Sequence, residues 1–153
     1  MANDDVITRL YTAFHGRDGD AMAACYAPDA TFSDPVFRDL RGADVGDMWR
    51  MLCGSAADLE VTFDSVTADS AHWVATYTFT GTGRQVINDV RARFVIADGL
   101  IAEHHDSFDF WKWSRQALGP MGLALGWTPI LQGKVTAQAM SGLRAYQRRE
   151  QSR

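Results

Sequence analysis

The chain has no apolar run long enough to cross a bilayer, no excess of positive charge, no glycine-rich phosphate loop and only two cysteines. Each absence removes a class of function. The longest apolar stretch, Met121 to Leu131, contains Pro129 and is shorter than the roughly 20 residues a membrane helix needs. The N-terminus, Met-Ala-Asn-Asp-Asp, is acidic and leads straight into an amphipathic segment. That is not the pattern of a secretory signal, so a cytoplasmic location without a membrane is expected. Nineteen acidic and fifteen basic residues are spread along the chain for a net charge of −4, which argues against nucleic acid as a partner. The one basic cluster, Arg144, Arg148, Arg149 and Arg153, suits a solvated helix end whose cations complement the dipole. Cys25 and Cys53 lie on separate expected helices and read as reduced packing thiols. Gly81-Thr82-Gly83 has neither a preceding parallel strand nor a following helix, so it reads as a hairpin turn. Ser33 and Ser107 lack a nucleophile elbow, which leaves a hydrolytic triad without support.

What is present suits one compact domain. Of 153 residues, 46% are hydrophobic and 11% aromatic, enough for a sizeable core. Val6, Leu10 and Phe14, with Ile7 and Tyr11, form the face of a first helix that Asn3 could cap and that ends before Gly16. A short helix follows from about Asp20, with Met22, Cys25 and Tyr26 inward. A third helix runs from Ala43 to Cys53, with Val45, Met48, Trp49 and Leu52 inward. The period then changes to alternation: Leu59, Val61, Phe63; Trp73, Ala75, Tyr77, Phe79; Val90, Ala92, Phe94, Ile96. Ala97-Asp98-Gly99 signals a hairpin, and Leu100 to Trp111 reads as a long last strand. Helices followed by antiparallel strands describe an α+β domain in which a curved sheet packs the helices on one face and leaves a concave pocket.

Two stretches carry candidate chemistry. In Tyr26-Ala-Pro-Asp-Ala-Thr-Phe-Ser-Asp-Pro-Val, Pro28 is expected to end a helix and Pro35 to hold Asp34 extended, so that Phe32 and Asp34 share a strand face. Asp34 is then either a partly desolvated base or a turn-forming acid. In Glu103-His104-His105-Asp106-Ser107-Phe108-Asp109, alternation puts His104, Asp106 and Phe108 on one face and Glu103, His105 and Ser107 on the other. His104 and Asp106 are placed as proton-transfer or orienting partners, or else as a polar strand end. A metal would need a third ligand that no spacing supplies, so no metal and no cofactor are expected. His72, Glu103 and His105 read as solvent-facing.

The order of these elements, with the Tyr26-to-Val36 run early and Gly99-Leu-Ile-Ala-Glu-His-His-Asp-Ser-Phe-Asp late, resembles the nuclear transport factor 2-like superfamily, in its SnoaL-like and ketosteroid isomerase-like branch. The resemblance covers about residues 4 to 113. It implies a cone-shaped α+β barrel, commonly a homodimer, that takes a small apolar ligand or substrate. Asp34 matches the proton-shuttling aspartate of the isomerases. Their two oxyanion donors fall by count on Leu10 and near Ala92, with Tyr11 one residue off and so turned by about 100°; an oxyanion hole would need His104 or Tyr77 as donor. Asp106 matches an aspartate of the limonene epoxide hydrolase-like members, but Ala75-Thr-Tyr-Thr-Phe79 lacks the Arg-x-Asp partner. In SnoaL-like cyclases an acidic residue of this last strand acts as base, a part open to Asp106 or His104. The resulting expectation is proton transfer by Asp34, His104 and Asp106 in a pocket lined by Phe32, Trp49, Tyr77 and Phe108, of the isomerase, cyclase or dehydratase type. A non-catalytic ligand-binding or dimeric scaffold is the alternative.

Residues 114–153 extend beyond that domain of residues 1–113. Gly119 to Gly126 reads as a glycine-rich loop over the pocket mouth, or else the segment is a dimer arm with no effect on the pocket. Thr128-Pro129 opens a last helix whose stripe, Leu131, Val135, Ala139, Leu143 and Tyr146, must pack on the same domain or on a dimer partner.

Overall fold

The computed structural model describes residues 3–55 and 57–153, with the side chains of Asn3 and Asp4 excluded, so the expected Asn3 cap lies outside the described side chains. Three helices open the chain: α1 (Asn3–His15), α2 (Gly19–Ala23) and, after strands β1 (Tyr26–Ser33) and β2 (Leu40–Arg41), α3 (Ala43–Ser55). Strands β3 (Glu60–Asp64), β4 (Ser70–Phe79), β5 (Arg84–Ala97) and β6 (Leu100–Ser107) follow, and α4 (Phe110–Leu118), α5 (Pro120–Leu125) and α6 (Pro129–Gln151) close the chain. The strands form one curved, unclosed sheet in the order β2-β1-β6-β5-β4-β3. Its consecutive late strands are antiparallel, as their short turns require. Asp98 and Gly99 both take positive φ, 55° and 76°, the backbone that closes the tightest hairpins. Strand β1 instead joins β6 in parallel, pairing Phe32 with His104 and Ser33 with His105.

Pro28 lies inside β1 rather than at the end of a helix, which corrects the expectation. The helix stops at Ala23, and the β1–β6 register shifts between Tyr26 and Thr31. A proline, which has no N–H to give a ladder, fits such an irregularity. The last strand is likewise shorter than expected. Asp109 caps α4 by accepting from the Lys112 N–H at 3.1 Å, so Phe108 to Trp111 turn away from the sheet.

The core fills the concave side. Ile7, Leu10, Tyr11 and Phe14 of α1 meet Trp49 of α3 and Trp73 of β4, with ring centroids at 5.1 Å for Phe14–Trp49 and 5.2 Å for Phe14–Trp73. Each edge-on ring pair of this kind adds about 1 kcal/mol beyond the area it buries. Cys25 and Cys53 are both free and buried, and burial lifts both thiols, Cys53 to about 11. They pack as small apolar groups.

The C-terminal helices pack on this body. The expected loop at Gly119 to Gly126 is instead α5, started by Pro120 after Gly119 at φ 65°. Helix α5 lies so close to α4 that a Cβ on Gly122 would collide with the Ser114 carbonyl. Thr128 caps α6 by accepting from the Leu131 N–H at 3.3 Å. Leu143 is fully buried, and Ala139 and Met140 join it against the main core. Arg144 makes two contacts with Asp44 of α3, at 2.8 and 3.0 Å, and the Gln132 amide donates to the Pro35 carbonyl at 2.8 Å.

Burial rather than charge holds α6 in place. Leu143→Ala is expected to lower stability by about 2–4 kcal/mol in denaturant titrations, from lost transfer energy and a residual cavity. Arg144→Ala, which removes a solvent-exposed pair, should cost no more than about 1 kcal/mol.

Candidate active site

Asp34 follows the last residue of β1 and forms a tight turn with the three residues after it. Its Oδ1 accepts from the Val36 N–H at 2.7 Å and the Phe37 N–H at 2.6 Å, while its own N–H donates to the Phe37 carbonyl at 2.8 Å. Among the described residues Oδ2 has no hydrogen-bond partner. Asp34 keeps some accessible surface, yet protein surrounds its carboxyl on nearly every side. Burial, then the nearby Asp106 carboxyl, raises its pKa from 3.8 to about 7 against the pull of the two backbone donors. The turn-former and the perturbed acid expected as alternatives are therefore one residue, with one oxygen serving each.

His104 and Asp106 are brought together in the core. The His104 Nε2 lies 2.7 Å from Asp106 Oδ1, and its Nδ1 lies 2.7 Å from the Tyr26 hydroxyl. Tyr26 in turn accepts from the Trp49 indole N–H at 2.9 Å. An indole can only donate, so the Tyr26 proton is free for Nδ1 and the imidazole proton belongs on Nε2, facing the carboxylate. The Trp73 indole reaches the same Asp106 oxygen at 3.5 Å, a weak bond. Rings of Phe32, Trp49 and Phe94 enclose the imidazole, Phe94 at 4.3 Å between centroids. No part of the His104 side chain is exposed. Sequence reasoning missed Tyr26, which it placed on a helix; the available signal was that a buried tyrosine needs a partner for its hydroxyl.

Two polar atoms are left over. Asp106 Oδ2 and the Tyr11 hydroxyl are buried without a hydrogen-bond partner among the described residues. Tyr11 faces inward after all, on the wide stripe of α1, and burial and then the Asp106 charge push its phenol well up. Tyr77 is half-buried, accepts from the Trp113 indole at 2.8 Å and feels the charge of Asp34. Tyr77, Phe108 and Val36 touch both the main core and a smaller one built from Val86, Phe110, Trp113 and Ala117. Phe32 and Trp49, expected as pocket lining, are core residues at 1% and 2% exposure.

Two hollows lie elsewhere. One of about 710 Å³ sits against Thr8, Arg9, Thr12 and Cys25, and one of about 240 Å³ against Asn88, Asp109 and Gln116. Neither touches Asp34, His104 or Asp106. Among the described residues no three His, Cys, Asp or Glu side chains are grouped to hold a metal ion. On the outer sheet face His105 pairs with Ser33 at 2.6 Å and His72 with Asp64 and Asp89 at 3.0 and 2.7 Å.

A helix-filled, curved sheet with acids on its inner strands defines a small α+β cone of the nuclear transport factor 2-like kind. Residues 7–104 match the SnoaL-like domain, and the chain belongs to that family. Among solved structures it is similar to a proposed polyketide cyclase from a Silicibacter species, at 18% identity over 76% of this chain and 95% of the other, with a TM-score of 0.61. An LEH-like epoxide hydrolase from M. tuberculosis is similar at 19% identity over 80% and 92%, with a TM-score of 0.62. AclR from Streptomyces galilaeus, a proposed hydroxylase, is similar at 17% identity over 80% and 96%, with a TM-score of 0.61. At these identities the likeness establishes the fold. Among curated proteins none matches the chain in sequence.

Tyr26→Phe would strand the Trp49 N–H and His104 Nδ1 in the core. It should cost about 2–4 kcal/mol, measured by chemical denaturation, far more than one lost surface hydrogen bond. Asp34 should act on stability through pH. Because its folded pKa is raised to about 7, the native state holds the proton more tightly, and its contribution to stability is lost as pH rises from about 4 to 7. Asp34→Asn keeps an acceptor for Val36 and Phe37 without the charge. It should match the wild type near pH 4 and, allowing for partial exposure, exceed it by about 1–3 kcal/mol at pH 8.

Proposed function

We propose that this protein is a small-molecule enzyme in which the Asp34 carboxylate moves a proton on an apolar carbonyl or polyketide-like compound, as an isomerase, cyclase or dehydratase does. The observation that carries this reading is a carboxyl enclosed by protein with one oxygen tied to the backbone and the other unpartnered, an environment that raises its pKa to about 7. A base so poised takes a proton at neutral pH without becoming too weak to do so. In this reading Oδ2 accepts the proton from carbon next to the carbonyl. The Tyr77 hydroxyl, which already receives the Trp113 N–H, donates its own hydrogen to the developing oxyanion. Asp106 sets the local negative field, and His104 is a positioning residue that holds Asp106 in place. Substrate enters where Pro35 and Val36 meet the start of α6, so the Gln132 contact must yield during binding. The chain acts as a homodimer in the same reading, with Ile87 and Val95 exposed on the outward face of β5 as its apolar contact.

The non-catalytic scaffold reading draws on the packed interior and on the Asx-type turn that Asp34 caps. The two separate in a solvent-exchange assay. Wild-type protein in D₂O with a panel of apolar ketones should catalyse exchange at the carbon next to the carbonyl, followed by proton NMR. The rate should rise with pH through about 7, and Asp34→Asn should lower it by about 10²–10⁴-fold with the fold intact. Absence of exchange with every ketone, together with a destabilised Asp34→Asn, would leave the scaffold.

A further inference from the structure

The face built from α4, α5 and the start of α6 is strongly apolar. Met121, Leu123, Leu125, Trp127 and Ile130 are exposed there, the last two at 73% each. Trp111 adjoins them, its indole N–H donating to the Leu123 carbonyl at 3.2 Å, and Trp127 donates to Ala124 at 3.0 Å. Both rings have thus satisfied their only polar group within the segment, and they can enter an apolar medium without stranding a donor. Apolar exposure concentrated in one segment like this marks a surface that another body covers.

Charge identifies the body. From Phe110 to Val135 the sequence carries three cations and no carboxylate, in a chain whose net charge is −4. Lys112 and Lys134 are exposed beside the apolar side chains, and the Arg115 guanidinium lies 4.1 Å over the Trp111 ring. None of these three forms an ion pair among the described residues. We propose that this face docks on an anionic lipid bilayer, with Trp127, Ile130 and Leu123 entering the headgroup boundary and Lys112, Arg115 and Lys134 against the phosphates. A second copy of the chain is a poorer occupant, because it would bring the same three cations to both sides of the contact, with only Asp89 and the α4 cap Asp109 beside Lys112 to offset them. No described helix is long and apolar enough to cross a membrane, so this is contact from one side. The expectation of no membrane rested on that length and on the acidic N-terminus, and neither bears on contact from one side. The proposal does not depend on catalysis by Asp34.

The test uses the full chain and sedimentation with vesicles, either phosphatidylcholine alone or with about a quarter phosphatidylglycerol. The protein should sediment with the mixed vesicles, shift its tryptophan emission to the blue, and release as salt rises. Trp127→Ser with Ile130→Ser should weaken partition at least about tenfold. Lys112→Glu with Lys134→Glu should weaken it by about tenfold or more, while phosphatidylcholine binding stays low. All four side chains are exposed, and circular dichroism checks that each variant is folded. No sedimentation with the mixed vesicles overturns the proposal, as does equal binding to both kinds. A concentration-dependent dimer abolished by the Trp127→Ser, Ile130→Ser pair would give the face to a second copy instead.

Discussion

An imidazole buried among aromatic rings must have both nitrogens satisfied, and the rest of this fold is arranged around that requirement. His104 meets it through Asp106 on its own strand and through Tyr26 at the far end of the sheet pairing. Tyr26 is fixed by Trp49 of α3, so one hydrogen-bonded chain ties a helix to two strands that run parallel. In low dielectric each of these bonds is strong, and each would be expensive to leave unmade. The chain also selects the β1–β6 register, because a slip by one residue would turn His104 and Asp106 outward.

The same arrangement produces the chemistry. Satisfying the imidazole uses one oxygen of Asp106 and leaves the other unpartnered among the described residues. The resulting negative field reaches Asp34, which the parallel register carries alongside, and adds to burial in raising that carboxyl. The perturbed acid is thus a consequence of how the core solves its polar problem. The acid itself stays rigid because two backbone N–H groups grip its other oxygen.

Much of this was legible locally and some could not be. Alternation in Glu103-His-His-Asp106 correctly separated the two histidines, and Thr128-Pro129 marked the start of α6, because both signals act over a few residues. The Tyr26–His104 contact spans 78 residues and depends on a parallel pairing that no local period encodes. Pro28 misled because proline breaks helices and also tolerates a strand irregularity, and only the β1–β6 register tells which applies. Phe108 to Trp111 kept the strand's composition, but the Asp109 side chain caps a helix more favourably than the segment extends a ladder. The aromatics expected around a pocket are split between a closed core and its rim for the same reason: alternation gives a face, not the depth at which each side chain sits.

The C-terminal helix α6 reaches the turn that holds Asp34. Helix α6 is anchored at one end by Leu143 and Arg144 on α3, and at the other by Gln132 on the Pro35 carbonyl, one residue from the acid. Exclusion of water is the largest cause of the raised Asp34 pKa, so any motion of the turn that admits solvent must lower it. By linkage the protonated acid favours the dry turn and the carboxylate a hydrated one. The acid is thus coupled to its own hydration as well as to the Asp106 charge and the two backbone donors.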